Sequence, residues 1–126
     1  MDQPGKRFLE STDVIDWRHP SVLARARELV RDARDPAGVA RRCFEWVRDE
    51  IKHSADHGLK PVTCSASEVL LEGSGFCYAK SHLLAALLRA NGLPAGLCYQ
   101  RLSLDGGGAP FCLHGLNGVW LSDTGW

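Results

Sequence analysis

The stretch GSGFCYAKSHLLAALLRANGLPA, residues 73–95, decides how the rest of this chain is read. Leu83, Leu84, Leu87 and Leu88 recur at three- and four-residue spacing with Ala85 and Ala86 between them, which predicts a helix apolar over most of its circumference. Such a helix belongs inside the protein. Asn91-Gly92 supplies a left-handed stop and Pro94 forbids continuation, while Gly73 and Gly75 precede the start. Cys77 therefore falls at the helix N-terminus or within one turn of it. There, free backbone N–H groups and the positive end of the helix dipole favour an anion, the setting a nucleophilic thiolate needs. A cysteine in an apolar helix is otherwise a small apolar filler. The glycine approach, the helix terminus and a histidine far along the chain single out Cys77 as a candidate nucleophile.

A chain of 126 residues is the size of one domain, and residues 1–126 are read as one. With 15 basic and 15 acidic residues, nothing draws it electrostatically to nucleic acid or an anionic membrane. The charge is unevenly spread: residues 1–60 hold 12 Lys/Arg and 11 Asp/Glu, so the first half reads as solvated amphipathic elements and the second as core. The opening MDQPGKRFLE has no apolar signal core, and the longest clean apolar run, residues 83–88, is far too short to span a bilayer. A soluble, cytoplasmic protein is expected. Five cysteines (Cys43, Cys64, Cys77, Cys98, Cys112), odd in number and without a C-x-x-C pair, imply reduced thiols rather than a disulfide scaffold. Cys112 and His114 are the one close ligand pair and make at most half a zinc site, so neither metal nor cofactor is expected.

Along the chain, residues 1–18 form an N-terminal arm or edge strand. His19-Pro20 opens a helix with Val22, Leu23, Ala26, Leu29 and Val30 on one stripe, expected to end near Ala33. Asp35-Pro36 repeats the signal, and Ala40, Cys43, Phe44, Val47 and Ile51 give the next apolar face, with Cys43 as core. Residues 51–61, with His53, Asp56, His57 and Gly58, read as a loop whose histidines are either solvated or line a site. Ser65 to Glu68 is a capping box for a short helix that Gly73 ends. Residues 95–104 and 110–121 read as antiparallel strands around a turn at 105–108. Asn117-Gly118 could itself be a hairpin turn. A later turn at 122–125 is preferred, with Trp126 opening a third strand.

A thiolate needs a base and an orienter for that base. His82 lies about 140° around the helix from Cys77 and is expected to be structural. His19, His53 and His57 belong to the charged first half. His114 remains, on a mostly apolar strand with Phe111, Leu113, Leu116 and Trp120, where it is either a hydrogen-bonded core histidine or a base facing Cys77. The stretch 73–95, followed by the histidine of FCLHGLNGVW, resembles the transglutaminase-like superfamily, cysteine enzymes of papain-like fold. The likeness is close over residues 64–126, looser over the helices before, and nearer to the small bacterial members than to the large protein-crosslinking enzymes. It implies an α+β fold of N-terminal helices packed on an antiparallel sheet, with Cys77 as nucleophile and His114 as base. It also implies an acyl-thioester resolved by water or an amine, on a peptide, protein or small amide substrate.

In the family pattern an aspartate that orients the histidine follows in a G-W-x-x-x-D segment; here the sequence ends at Gly125-Trp126. Asp123 is the only acid after His114 and would sit at a turn tip, a poor place from which to orient a ring. The expectation is a chain incomplete relative to the family, lacking that acid and at least one strand. An open sheet edge then predicts a homodimer or domain-swapped pair, and weak catalysis. The backbone N–H of Cys77 is one candidate oxyanion donor, with His53 or Trp17 as a second. The leading function is a transglutaminase-like acyltransferase or amide hydrolase, with the same fold as a binding or scaffold domain for alternative; a metal-binding protein built on Cys112, His114 and loop histidines is disfavoured, because those spacings fit no closed site.

Overall fold

A computed structural model describes residues 4–54, 62–103 and 111–126, without the side chains of 102 and 111–113. His57, the 105–108 turn and the Cys112 side chain lie outside the described residues. Helices α1 (Pro20–Leu29) and α2 (Pro36–Glu50) lead into β1 (Lys52–His53). Then come α3 (Ala66–Glu72), β2 (Ser74–Gly75), α4 (Cys77–Ala90), β3 (Ala95–Ser103) and β4 (Phe111–Val119). The class is α+β, as the sequence implied.

Helix α4 is the centre of the molecule. Ala79, Leu83, Ala85, Ala86, Leu87 and Leu88 are buried, as its near-continuous apolar circumference demands, and α1, α2, α3 and the β3–β4 hairpin all pack against it. From the surrounding helices come Val22 and Ala26 of α1, Cys43 and Val47 of α2, and Ala66 and Val69 of α3. Burial pushes the Cys43 thiol up from its ordinary 9.0 to about 11, in keeping with a filler role.

The helix termini follow local chemistry. The His19 ring nitrogen Nδ1 accepts from the Ser21 amide at 3.2 Å, and Asp35 Oδ1 accepts from the Gly38 amide at 2.9 Å, each just before a proline. Helix α1 stops at Leu29, four residues short of the expected Ala33. Arg31, Asp32 and Arg34 are exposed, so no apolar face remains to hold another turn against the core. The capping box of α3 is formed: Ser65 Oγ accepts from the Glu68 amide at 3.3 Å, and Glu68 Oε1 accepts from the Ser65 amide at 3.1 Å. Hydrogen bonds from that amide and from the Ser65 hydroxyl hold the Glu68 carboxyl below its usual range.

Two regions differ from the sequence expectations. The N-terminal arm is not a strand; it makes a short 3₁₀ helix, Lys6–Leu9, and an irregular run docked on the core. Lys52–His53, expected in a loop, pairs in parallel with Ser74–Gly75, matching His53 to Gly75. Two residues carry no period from which a strand can be read. The β3–β4 ladder runs unbroken from Ala95↔Val119 to Ser103↔Phe111, through Asn117-Gly118, so the turn is the later one, closed by a Leu121↔Gly125 bridge. The Trp126 ring packs edge-on against Phe8 at 5.1 Å.

Candidate active site

Residues 73–79 show how the chain delivers Cys77. Gly73 ends α3 in the left-handed conformation (φ 71°), the conformation its sequence position called for. At Gly75 a Cβ would meet Thr63 Oγ1 and the Ala79 Cβ at 3.0 Å, so any side chain there would crowd the approach of β2 to the start of α4. Thr63 then donates to the Ser74 carbonyl at 2.9 Å, locking the approach. Phe76 is the N-cap residue and makes no side-chain cap, and Cys77 is the first residue of the helix. The first-turn amides thus have no capping side chain, which leaves the positive end of the dipole beside the sulfur.

Strand β4 meets that end closely. A Cβ on Gly115 would lie 3.0 Å from the Tyr78 Cα, so the absence of a side chain after His114 eases the close approach of strand and helix backbones. The Gly115 N–H consequently donates to the Cys77 Sγ at 3.4 Å. Asn117 fastens the same strand further along, donating from Nδ2 to the Ser81 carbonyl at 2.9 Å. A Gly inside a strand pattern is the sequence signal for such an approach, and Gly115 carries it.

Cys77 and His114 line one cleft of about 280 Å³, together with His53. Cys77 is partly exposed and His114 is exposed, so His114 is not the buried core histidine that its apolar strand also allowed. His53 arrives through the β1–β2 pairing, and its ring stands edge-to-face on Phe76 at 5.7 Å. Phe44, expected on the buried face of α2, is 50% exposed and forms part of the cleft wall. His82 is structural as expected: buried, with Nδ1 2.7 Å from the Cys64 carbonyl oxygen.

Two candidates are placed elsewhere. Trp17 uses its indole N–H on the Leu9 carbonyl at 2.9 Å and packs against the core, away from the cleft lining, which removes it as an oxyanion donor. Asp123 is exposed in the turn at 122–124 and does not line the cleft. Among the described residues no carboxylate does.

A thiol on the first turn of a central helix, beside an antiparallel strand that carries an imidazole into the same cleft, defines the class of papain-like α+β folds. Within that class the family is shown by sequence: a sequence model of the transglutaminase-like superfamily matches residues 23–126, and the chain belongs to that superfamily. Among solved structures, a putative cysteine protease from Cytophaga hutchinsonii superposes with a TM-score of 0.76 at 18% identity, over 96% of this chain and 40% of that one. A putative protease from Parabacteroides distasonis gives 0.59 at 19% identity, over 92% of this chain and 23% of its own. Both likenesses concern the fold, and the chain spans less than half of either structure's length. A search of the curated proteins gave no significant match.

Proposed function

We propose that the chain carries the catalytic core of a thiol-dependent amide acyltransferase or hydrolase, with Cys77 as nucleophile and His114 as base. The observation that carries this is the shared cleft: the Cys77 sulfur on the first turn of α4, and the His114 ring on the strand whose next N–H bonds that sulfur. His114 takes the thiol proton, and the sulfur attacks the amide carbonyl carbon, pushing the C=O pair onto oxygen. As the intermediate collapses the C–N bond breaks, and His114 delivers the proton to the departing amine. Water or a second amine then attacks the thioester carbonyl, gives its proton through His114 to the leaving sulfur, and releases acid or new amide. The first-turn amides of α4 are suited to receive the oxyanion, and His53 is the side chain on the cleft wall suited to be a second donor. Reduced thiols, as in the cytoplasm, belong to this proposal.

The test is alkylation by iodoacetamide at neutral pH, followed by mass spectrometry. Cys77 should react at least roughly tenfold faster than Cys64 and Cys98, which are exposed but lie outside the cleft lining. His114→Ala should remove most of that advantage. Equal slow labelling of all three would overturn the proposal.

A second proposal keeps the same fold as a binding or scaffold domain, with the exposed apolar cleft wall of Phe44 and Leu116 receiving a partner rather than a scissile amide. That alternative predicts an unreactive Cys77 in a chain whose circular dichroism is that of a folded protein. Pairing of two copies along an outer edge of the β3–β4 hairpin is likewise a proposal, and a monomer mass by light scattering at high concentration would count against it.

A further inference from the structure

Among the described residues, Phe44 (50% exposed) and Leu116 (37%) are large apolar side chains left open to solvent, and both line the cleft that holds Cys77. They come from different elements, α2 and β4, and Val47 and Leu84 of the core continue the same surface between them. Leaving such area wet beside a nucleophile is unfavourable by itself, and the loss is recovered only when an apolar group covers it. The charges at the rim point another way. The Arg48 guanidinium lies 5.5 Å from the Phe44 ring centre and is bidentate on Asp49, at 2.7 and 3.1 Å. Asp49 does not line the cleft, so the Arg48 guanidinium is turned to an acid outside it.

We propose that this surface is a recognition subsite for an apolar side chain of the acyl donor, adjacent to the bond that Cys77 attacks. The proposal rests on the nucleophile assignment above and adds a substrate class to it: amides whose acyl part bears an aliphatic or aromatic side chain, in preference to a polar one of similar reach. Phe44 and Leu116 are the specificity-determining residues, touching the substrate without taking part in bond making.

Two alkylating agents of matched chemistry, N-benzyliodoacetamide and N-(2-hydroxyethyl)iodoacetamide, read the subsite without knowledge of the substrate. Their rate ratio is measured at Cys77 and, in the same protein, at the exposed Cys98. Covering apolar area worth two methylenes should make the benzyl-to-hydroxyethyl ratio about tenfold larger at Cys77 than at Cys98. Phe44→Ser and Leu116→Ser, at partly exposed positions and with circular dichroism checking the fold, should each lower the Cys77 ratio by about threefold. Leu71→Ser, at an 82% exposed site on α3, should leave it unchanged. A fast-reacting Cys77 with the same ratio as Cys98 overturns the subsite and spares the nucleophile. A Cys77 that reacts with none of these reagents overturns both.

Discussion

At its C-terminal end α4 carries Arg89, 7% exposed, whose Nε and Nη2 donate to the Ala95 carbonyl at 3.0 and 2.8 Å while Nη1 donates to the Glu10 carbonyl at 2.8 Å. At its N-terminal end Cys77 borders an open cleft, and no side chain caps the helix. Burial works against the charge of Arg89, with the Glu10 charge countering, and the guanidinium is kept by three bonds that tie the N-terminal arm, α4 and β3 into one unit. One end of the helix is satisfied and sealed; the other has its polar groups held in reserve beside a sulfur. If Cys77 is the nucleophile proposed above, stability and reactivity are divided along the fourteen residues of this helix, and each end is expected to respond to substitution without the other.

The largest effect expected is at the open end. Cys77→Ala should cost about a thousandfold or more in any thiol-dependent acyl transfer measured with this protein, with the thermal midpoint essentially unmoved. A fall in the midpoint comparable to that of a core variant would erase the division. At the sealed end, Arg89→Ala orphans two carbonyls and loosens the arm. It should lower stability by about 2–4 kcal/mol in denaturant titration, while the folded fraction keeps its fast Cys77 labelling.

Gly115→Ala tests the open end, where β4 meets the first turn of α4. Its Cβ would press on the Tyr78 Cα, so it should cost about 1–3 kcal/mol and also slow Cys77 alkylation, because β4 must move away from the sulfur. Cys43 adds a pH dependence belonging to the sealed side. Its thiol titrates at about 11 in the folded chain against 9.0 as the ordinary value, so it stays neutral in the fold while the unfolded chain ionises. Its contribution is whole below pH 9 and is lost as pH rises through about 11. The stability difference between wild type and Cys43→Ala, measured across that interval, should shrink steadily with pH. The smallest effect is Ser65→Ala at the cap of α3, about 1 kcal/mol, with no change in labelling rate.

How much of this was legible in sequence varies by residue. The α4 helix, its stop, the α3 capping box, the hairpin and the choice of Cys77 and His114 as candidates all follow from spacing, glycine and proline chemistry, or family likeness. The cleft lining was only partly legible. His53 read as a loop residue, because a two-residue parallel strand leaves no periodic trace. Phe44 shared a helical stripe with Cys43 and Val47, yet it stands at the stripe's edge, where the open cleft replaces a packing neighbour. The Trp17 indole N–H is committed to the Leu9 carbonyl, a pairing that no local pattern encodes.

By itself the sequence determined an apolar interior helix with a cysteine at its N-terminus or within one turn of it, because hydrophobic period, glycine and proline act over a few residues and need no partner. Which groups share space with that cysteine was decided by the tertiary structure. The approach of Gly115 to the first turn of α4, the delivery of His53 through β1–β2, and the opening left between Phe44 and Leu116 each depend on elements 20 or more residues apart in sequence. Contacts of that range are set by how whole faces pack, and no local pattern encodes them.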